Sequence, residues 1–195
     1  MTPSGVILYG PPGSGKDTIT AELSALRGEF TLFQRLKAGP GRSAGYRMTS
    51  IDHIEELSQA GELLYRNARY DAEYAIDRRG VADLVQVGRI PVLHMGQVAG
   101  AGAVADFPLR WIRVLLWCPL DVTESRSIGR GDKDVEARVK VWHETREDLL
   151  AHESEPWTLT LRTDRLSPTE SANTIIDALA TTASAEIRSI RELVG

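Results

Sequence analysis

Very little in this chain suits a membrane, an oxidising compartment or a polyanionic polymer. A single cysteine, Cys118, stands among 195 residues, so no internal disulfide can form and a reducing, cytoplasmic setting is expected. It follows the apolar run Trp111 to Trp117, where a buried thiol is expected rather than a nucleophile. No stretch approaches the roughly 18 consecutive apolar residues of a membrane helix. The opening Met1-Thr2-Pro3-Ser4-Gly5 carries no basic segment, so no export signal is expected. Acidic residues outnumber basic ones, 27 to 23, for a net charge of −4. That balance argues against a general binder of nucleic acid or anionic membrane. His53, His143 and His152 share no metal-ligand spacing with the cysteine or with a carboxylate cluster, so no zinc site is expected. Internal repeats and low-complexity tracts are also missing, and with 42% hydrophobic residues the chain is expected to bury one core.

What the chain does have is concentrated near its start. Val6-Ile7-Leu8-Tyr9 reads as an apolar strand, Gly10-Pro11-Pro12-Gly13-Ser14-Gly15-Lys16-Asp17-Thr18 follows it, and Ile19 to Leu26 places apolar residues at helical spacing. A strand, a glycine loop ending in lysine and a helix together cradle phosphates. The glycines let backbone N–H groups face the anion, the helix N-terminus adds its dipole, and Lys16 reaches the β- and γ-phosphates of a nucleoside triphosphate. ATP is the expected donor, held by Gly10, Pro11, Gly13, Ser14, Gly15, Lys16, Asp17 and Thr18. The usual form of this loop has a serine or threonine directly after the lysine to ligate Mg²⁺; here Asp17 stands there and Thr18 comes next. A carboxylate is also a hard oxygen ligand, so Asp17 and Thr18 are both candidates for the metal. Asp17 equally suits the first turn of a helix.

Further along, Phe30 to Phe33 reads as a strand and residues 34–47 as a glycine-rich, basic binding loop. Ser50 or Thr49 caps a helix through Ile51 to Ala60 that Gly61 ends. Glu62 to Asn67 reads as extended, and about Asp71 to Val87 as a helix. Ile90 to Met95 suits a buried parallel strand, and the small-residue segment Gly96 to Ala103 suits either a flexible loop or a closely packed helix start. Ile112 to Trp117 is a strand. Helices are expected over Leu120 to about Ile128 and about Asp134 to Glu153, separated by Gly129-Arg130-Gly131-Asp132-Lys133. Thr158 to Arg162 is a last strand, and Ser167-Pro168-Thr169-Glu170 opens the last helix with a capping box. Strands alternating with helices imply a parallel sheet covered on both faces. Cations gather at Arg35, Lys37, Arg42 and Arg47, at Arg66 and Arg69, and at Arg126, Arg130 and Arg138; in an acidic chain such clusters suit a small polyanion.

In this order the pieces resemble the guanylate kinase family of P-loop nucleoside monophosphate kinases. The resemblance covers nearly the whole chain. It rests on the loop Gly10 to Thr18, the basic region after Phe33, Ala60-Gly61-Glu62-Leu63-Leu64, Arg126 with Gly129-Arg130-Gly131, and Arg138. It implies an α/β, three-layer P-loop NTPase fold with a central parallel sheet, a single domain over residues 1–195, a small acceptor-binding insertion at about 34–88 and an arginine-bearing lid at about 126–138. Arg126, Arg130 and Arg138 would then close over the transferring phosphoryl group and, with Lys16, carry catalysis by positioning and charge stabilisation. On the acceptor side, Lys37 falls where the family has its first phosphate-binding arginine, Arg42 lies near the second, and Tyr46 and Tyr74 stand for the pocket tyrosines. Tyr65 sits about where the guanine-reading glutamate would be, and Leu93-His94-Met95-Gly96-Gln97 replaces the aspartate-bearing strand end. A tyrosine lacks the bidentate acceptor that guanine N1–H and its amino group require, so an acceptor other than GMP is expected. Ribose 1,5-bisphosphate phosphokinases, which also look like guanylate kinases, share the Gly13-Ser14-Gly15-Lys16-Asp17 pattern and likewise lack that aspartate.

The resemblance therefore implies transfer of the γ-phosphoryl of Mg·ATP to a small, already phosphorylated acceptor, a nucleoside monophosphate or a sugar phosphate, by a monomer or homodimer. Arg35, Lys37, Arg42, Tyr46, Tyr65, Tyr74 and His94 are the acceptor-side residues. Asp71 or Asp106 would be the candidate base for a hydroxyl acceptor. A reading of another class is a non-catalytic nucleotide-binding domain of guanylate kinase-like form. Such domains typically lose the loop lysine and lid arginines, which here persist as Lys16, Arg126 and Arg130.

Overall fold

A computed structural model describes residues 3–69, 71–132, 134–181 and 189–195; Met1, Thr2 and Lys133, named above, lie outside them. Strand β1 (Ser4–Tyr9) is the centre of the molecule, with Val6 to Tyr9 fully buried. Parallel neighbours β7 (Ile90–Met95) and β8 (Arg110–Trp117) flank it, and β2 (Phe30–Leu32) and β9 (Leu159–Arg162) form the edges, giving the order β2-β7-β1-β8-β9. Because side chains alternate across a strand, each strand feeds two cores. Ile7, Tyr9, Leu93, Met95, Leu115 and Trp117 face α4 (Val98–Ala105), α6 (Val135–Ala151) and α8 (Ile190–Val194). Val6, Leu8, Val92, Val114 and Leu116 face α1 (Lys16–Leu26) and α7 (Pro168–Ala180). The result is the three-layer α/β sandwich with an all-parallel central sheet that the alternation of elements implies.

Caps place the helices. Ser167 accepts from the Glu170 N–H while the Glu170 carboxylate accepts from the Ser167 N–H, so the capping box forms. Ser50 caps α2 (Ile51–Gln59) through the His53 N–H. The small-residue segment after β7 is helix α4, and the helices either side of the Gly129 break are α5 (Leu120–Gly129) and α6.

Residues 34–88 depart from the sequence reading in two places. The stretch read as a basic loop contains β3 (Leu36–Ala38), every residue of which is buried, and β4 (Arg47–Met48). Lys37 disguised it, since a lysine 2% exposed is rarely met in a strand core. The helix read from Asp71 to Val87 is instead β6 (Ala72–Asp77) followed by α3 (Arg78–Gln86). Asp71, at φ 56°, turns β5 (Leu63–Arg69) back into β6. Pairing of β6 with both β5 and β3 overrides the helix-forming content of Ala72-Glu73-Tyr74-Ala75. Asp77 then caps α3 by accepting from the Gly80 N–H. These strands form a second sheet, β4-β3-β6-β5, whose small core of Leu36, Ala38, Ile54 and Ala75 lies under α2.

Two polar contacts tie these units together. The Asp148 carboxylate accepts from the Tyr9 hydroxyl at 2.9 Å and from the Val98 N–H at 2.8 Å, fixing α6 to the central strand and to the start of α4. The Arg47 guanidinium bonds the Asp77 carboxylate, donates to the Gln34 carbonyl at 2.8 Å and lies over the Phe33 ring, clamping both chain passages between the two sheets. Burial raises the Asp77 pKa, but the Arg47 hydrogen bond and charge outweigh it and hold the carboxyl below its usual range.

Asp148→Ala is expected to destabilise the fold by about 2 kcal/mol, because the Tyr9 hydroxyl and the Val98 N–H lose a charged acceptor, lowering Tm by about 4–8 °C in a thermal melt. Asp77 has a depressed folded pKa, so its contribution is complete above the unfolded carboxylate pKa of about 4 and is lost as pH falls through the folded value. Wild type should therefore exceed Asp77→Asn in denaturant midpoint at neutral pH, and the gap should shrink on acidification below about pH 4.

Candidate active site

At the end of β1 the chain makes its glycine loop against the sheet. A Cβ on Gly10 would stand 2.2 Å from the Leu116 carbonyl oxygen, and Gly13 and Gly15 adopt φ of 74° and 87°, so each position requires glycine. The loop delivers Lys16 as the first residue of α1. Its ammonium donates to the Gly10 carbonyl at 2.6 Å, the Pro11 carbonyl at 2.9 Å and the Ser14 hydroxyl at 3.4 Å. Burial lowers the Lys16 pKa to about 8, against the opposing pull of Asp17. The Asp17 side chain is 91% exposed, and Thr18 lines a cavity on one side of the loop.

That cavity, about 190 Å³, opens between the loop and the start of α7 and is lined by Gly13, Thr18, Arg126, Arg130 and Thr163 among others. Arg126 lies on α5. From α5 it donates to the Gly13 carbonyl at 2.8 Å and to the Thr163 carbonyl at 2.6 Å, making one wall of the cavity. Thr123 on the same helix donates to the Pro12 carbonyl at 3.0 Å. Arg130 and Arg138 meet at Asp132, at 2.8 and 3.2 Å, and Arg138 also reaches Asp134 at 3.2 Å. The hydrogen bond from Arg130 holds the Asp132 carboxyl below its usual range.

Two further cavities lie on the other side of the loop and share the Tyr46–Tyr74 pair, whose rings are 5.4 Å apart, as a wall. One, about 420 Å³, is lined by Pro12, Lys37, Arg42 and Arg138 among others. Lys37 donates to the Arg42 carbonyl at 2.7 Å and sits 5.5 and 5.7 Å from the two ring centres. The other, about 140 Å³, is lined by Arg35, Tyr65, Asn67, Arg69 and Gln97. Arg35 lies over both Tyr46 and Tyr74. Tyr65 donates to the Gln97 side-chain oxygen and Arg69 pairs with Glu144 on α6, so β5 reaches across to the helices α4 and α6. The Asn67 Oδ1 is buried with no hydrogen-bond partner.

Arg35, Lys37, Arg42, Tyr46, Tyr65 and Tyr74 thus converge on one side of the loop, and Thr18, Arg126 and Arg130 on the other. His94 lines neither. It ends β7 beside β1, in register with Leu8, with Nε2 2.8 Å from the Thr20 hydroxyl and Nδ1 3.7 Å from the Asp17 carboxylate. Burial, then the Lys16 charge, lowers its pKa to about 4, leaving the imidazole neutral at pH 7. Arg66 points to the opposite face of β5 and pairs with Glu55 and Glu73. Asp71 is the turn residue at the β5–β6 tip and Asp106 caps the end of α4; neither lines these cavities. Asn67, Gln97, Thr20 and Thr163 carry no local signal in the sequence. Arg69 already stands in a cation cluster with Arg66, but its place beside Asn67 and Tyr65 on one face emerges only by counting twos along β5.

A parallel sheet with a lysine-bearing glycine loop at the carboxyl end of its central strand, cavities on both sides of that loop and arginines over it define a P-loop kinase fold of guanylate kinase-like form. Among solved structures the chain is similar to the guanylate kinase from Anaplasma phagocytophilum, with a TM-score of 0.64 and 14% identity over 94% of this chain and 89% of that one. It is also similar to the shikimate kinase from Acinetobacter baumannii in complex with shikimate, with a TM-score of 0.49 and 16% identity over 92% of this chain and 94% of that one. No protein-family profile and no curated protein matches the chain.

The glycines of α4 are not equivalent. A Cβ on Gly100 would meet the Tyr65 ring at 2.8 Å, whereas on Gly102 it would meet nothing nearer than 3.9 Å. Gly102→Ala is expected to be neutral or to stabilise by up to about 1 kcal/mol through helix propensity. Gly100→Ala should destabilise by about 1–3 kcal/mol and displace Tyr65 from Gln97. Paired denaturant titrations of the two variants measure the contrast.

Proposed function

We propose that the protein is an ATP-dependent phosphotransferase that moves the γ-phosphoryl group to a small, phosphorylated acceptor. The observation that carries this reading is the position of the Lys16 loop between two sets of cavities, one walled by Gly13, Arg126 and Thr163, the other by Pro12, Lys37, Tyr46 and Tyr74. In this reading residues 34–88 hold the acceptor and residues 126–138 act as the lid.

The donor phosphates lie along the loop backbone, with Lys16 exchanging its bonds to the Gly10 and Pro11 carbonyls for phosphate oxygens. Asp17 and Thr18, exposed at the first turn of α1, supply oxygen donors suited to Mg²⁺. Held by these donors, Mg²⁺ would supply positive charge that offsets the phosphates. Arg126 fixes the wall on the donor side. Lys37, Arg42 and Arg35 attract the acceptor phosphate, and Tyr46 and Tyr74 hold Lys37 and Arg35 in place through their ring faces. Arg138 lines the acceptor-side cavity and Arg130 the donor-side one, so the pair spans the line of transfer. Phosphoryl transfer asks for this positioning and charge stabilisation more than for a base.

The acceptor reading rests on what lines the Tyr65 cavity. Among the described lining residues there are guanidiniums, phenols and neutral amides, and no carboxylate. A guanine ring presents two donors that a carboxylate satisfies; a sugar phosphate presents hydroxyls and negative charge that amides and arginines satisfy. A sugar phosphate such as ribose 1,5-bisphosphate therefore fits better than GMP.

A coupled assay for ADP formation with Mg·ATP, run across nucleoside monophosphates, ribose 1,5-bisphosphate and other sugar phosphates, tests both parts. Turnover is expected on a sugar phosphate and not on GMP. Lys16→Ala should lower it by about a thousandfold or more with an unchanged circular dichroism spectrum. Wild-type turnover in Lys16→Ala would overturn the assignment, and silence across the panel with ATP bound would favour a non-catalytic nucleotide-binding domain.

A further inference from the structure

Beside the loop lysine, Thr20, His94 and Asp17 form a chain of contacts of which the phosphoryl-transfer reading uses only Asp17. The Thr20 hydroxyl oxygen lies 2.8 Å from the Lys16 carbonyl oxygen and 2.8 Å from His94 Nε2. A hydroxyl has one hydrogen to donate, and a carbonyl oxygen only accepts. That hydrogen therefore goes to the Lys16 carbonyl, and the Thr20 oxygen accepts from Nε2–H. The imidazole is thereby fixed in the tautomer that leaves a lone pair on Nδ1. Nδ1 faces the Asp17 carboxylate, 3.7 Å from its oxygen, and the His94 side chain is 18% exposed.

We propose that His94 Nδ1 and the Asp17 carboxylate form a paired nitrogen and oxygen donor set for the divalent cation that accompanies the donor nucleotide, with Thr20 as the positioning residue that fixes the imidazole. This inference rests on the donor-site reading above. Two ligands at right angles and about 2.1 Å from a common ion are about 3 Å apart, so the pair closes with a movement of under about 1 Å by the exposed Asp17. A histidine that binds a metal through one ring nitrogen characteristically donates its other N–H to a fixed acceptor, which is the part Thr20 plays here. Among the described residues no group of three or more His, Cys, Asp or Glu side chains gathers as a metal site. Two protein donors alone hold a cation weakly, so it is bound together with phosphate oxygens. A nitrogen donor moves preference away from Mg²⁺, which favours oxygen, toward Mn²⁺ and Co²⁺.

The test uses Mn²⁺ and ADP with the full chain. Pulsed electron paramagnetic resonance of the Mn·ADP complex is expected to show coupling to a directly bound imidazole ¹⁴N in wild type and to lose it in His94→Gln. The ratio of Mn²⁺ to Mg²⁺ affinity, measured by titration with ADP present, should fall about tenfold or more in His94→Gln. Thr20→Val should weaken Mn²⁺ binding by about tenfold, the usual effect of removing such a support. A ¹⁴N signal that is missing in wild type, or that persists in His94→Gln, overturns the inference while ADP binding leaves the donor site standing. Failure of wild type to bind Mn·ADP at all removes both. Unchanged Mn²⁺ affinity in Thr20→Val overturns the positioning role.

Discussion

Between the end of β1 and the end of β8 there is no space for one carbon atom. Gly10 lies so close to the Leu116 carbonyl, and to the Ser14 hydroxyl, that any side chain would collide with both. The chain leaving β1 is therefore pressed across the carboxyl edge of the sheet, and the turns at Gly13 and Gly15 bring it into α1 with Lys16 at the first position. The groups around the cleft depend on that contact. His94 comes from the adjacent end of β7, Thr123 and Arg126 from the helix after β8, and Thr163 from the end of β9. An open parallel sheet gathers its chemistry at the carboxyl ends of its strands, and here the close approach at Gly10 holds the loop against those of β1 and β8.

The chain is acidic overall, yet its cleft is rich in cations, and among the described residues Lys16, Lys37 and Arg35 are held there by dipoles and rings instead of a directly opposed carboxylate. Lys16 rests on loop carbonyls, Lys37 on the Arg42 carbonyl and two phenol rings, and Arg35 on the same rings. Carbonyl dipoles and ring faces compensate a buried charge only in part, which is why Lys16 is pulled down in pKa. A buried lysine satisfied in this way binds an arriving anion more strongly than one already neutralised by an ion pair.

What could be read from the sequence was what is local. The strand, glycine loop and helix at the start, the capping box at Ser167 and the break at Gly129 each state their geometry within a few residues, and the structure has them where they were expected. The second sheet was hidden because its signals are tertiary. Lys37 breaks the apolar pattern of β3, Ala72, Glu73 and Ala75 are good helix formers held extended by neighbours on both sides, and the β5–β6 turn uses Asp71 at a positive φ where glycine would have announced it. Missing that sheet meant missing the alternation of Tyr65, Asn67 and Arg69. The likeness to guanylate kinase extends to the fold, and the acceptor is decided by side chains that the fold leaves free to vary.

Arg130 and Arg138 meet over a common carboxylate, Asp132. Bringing them onto a transferring phosphoryl group in the proposed reaction is accordingly an exchange of one anion for another, not the capture of idle charges. An exchange of this kind is nearly balanced in free energy, so the closed arrangement is easily entered and as easily left. In the proposed reaction Asp132 would act as a returning spring, reclaiming both guanidiniums once the phosphoryl group has moved and so favouring release of products over their retention.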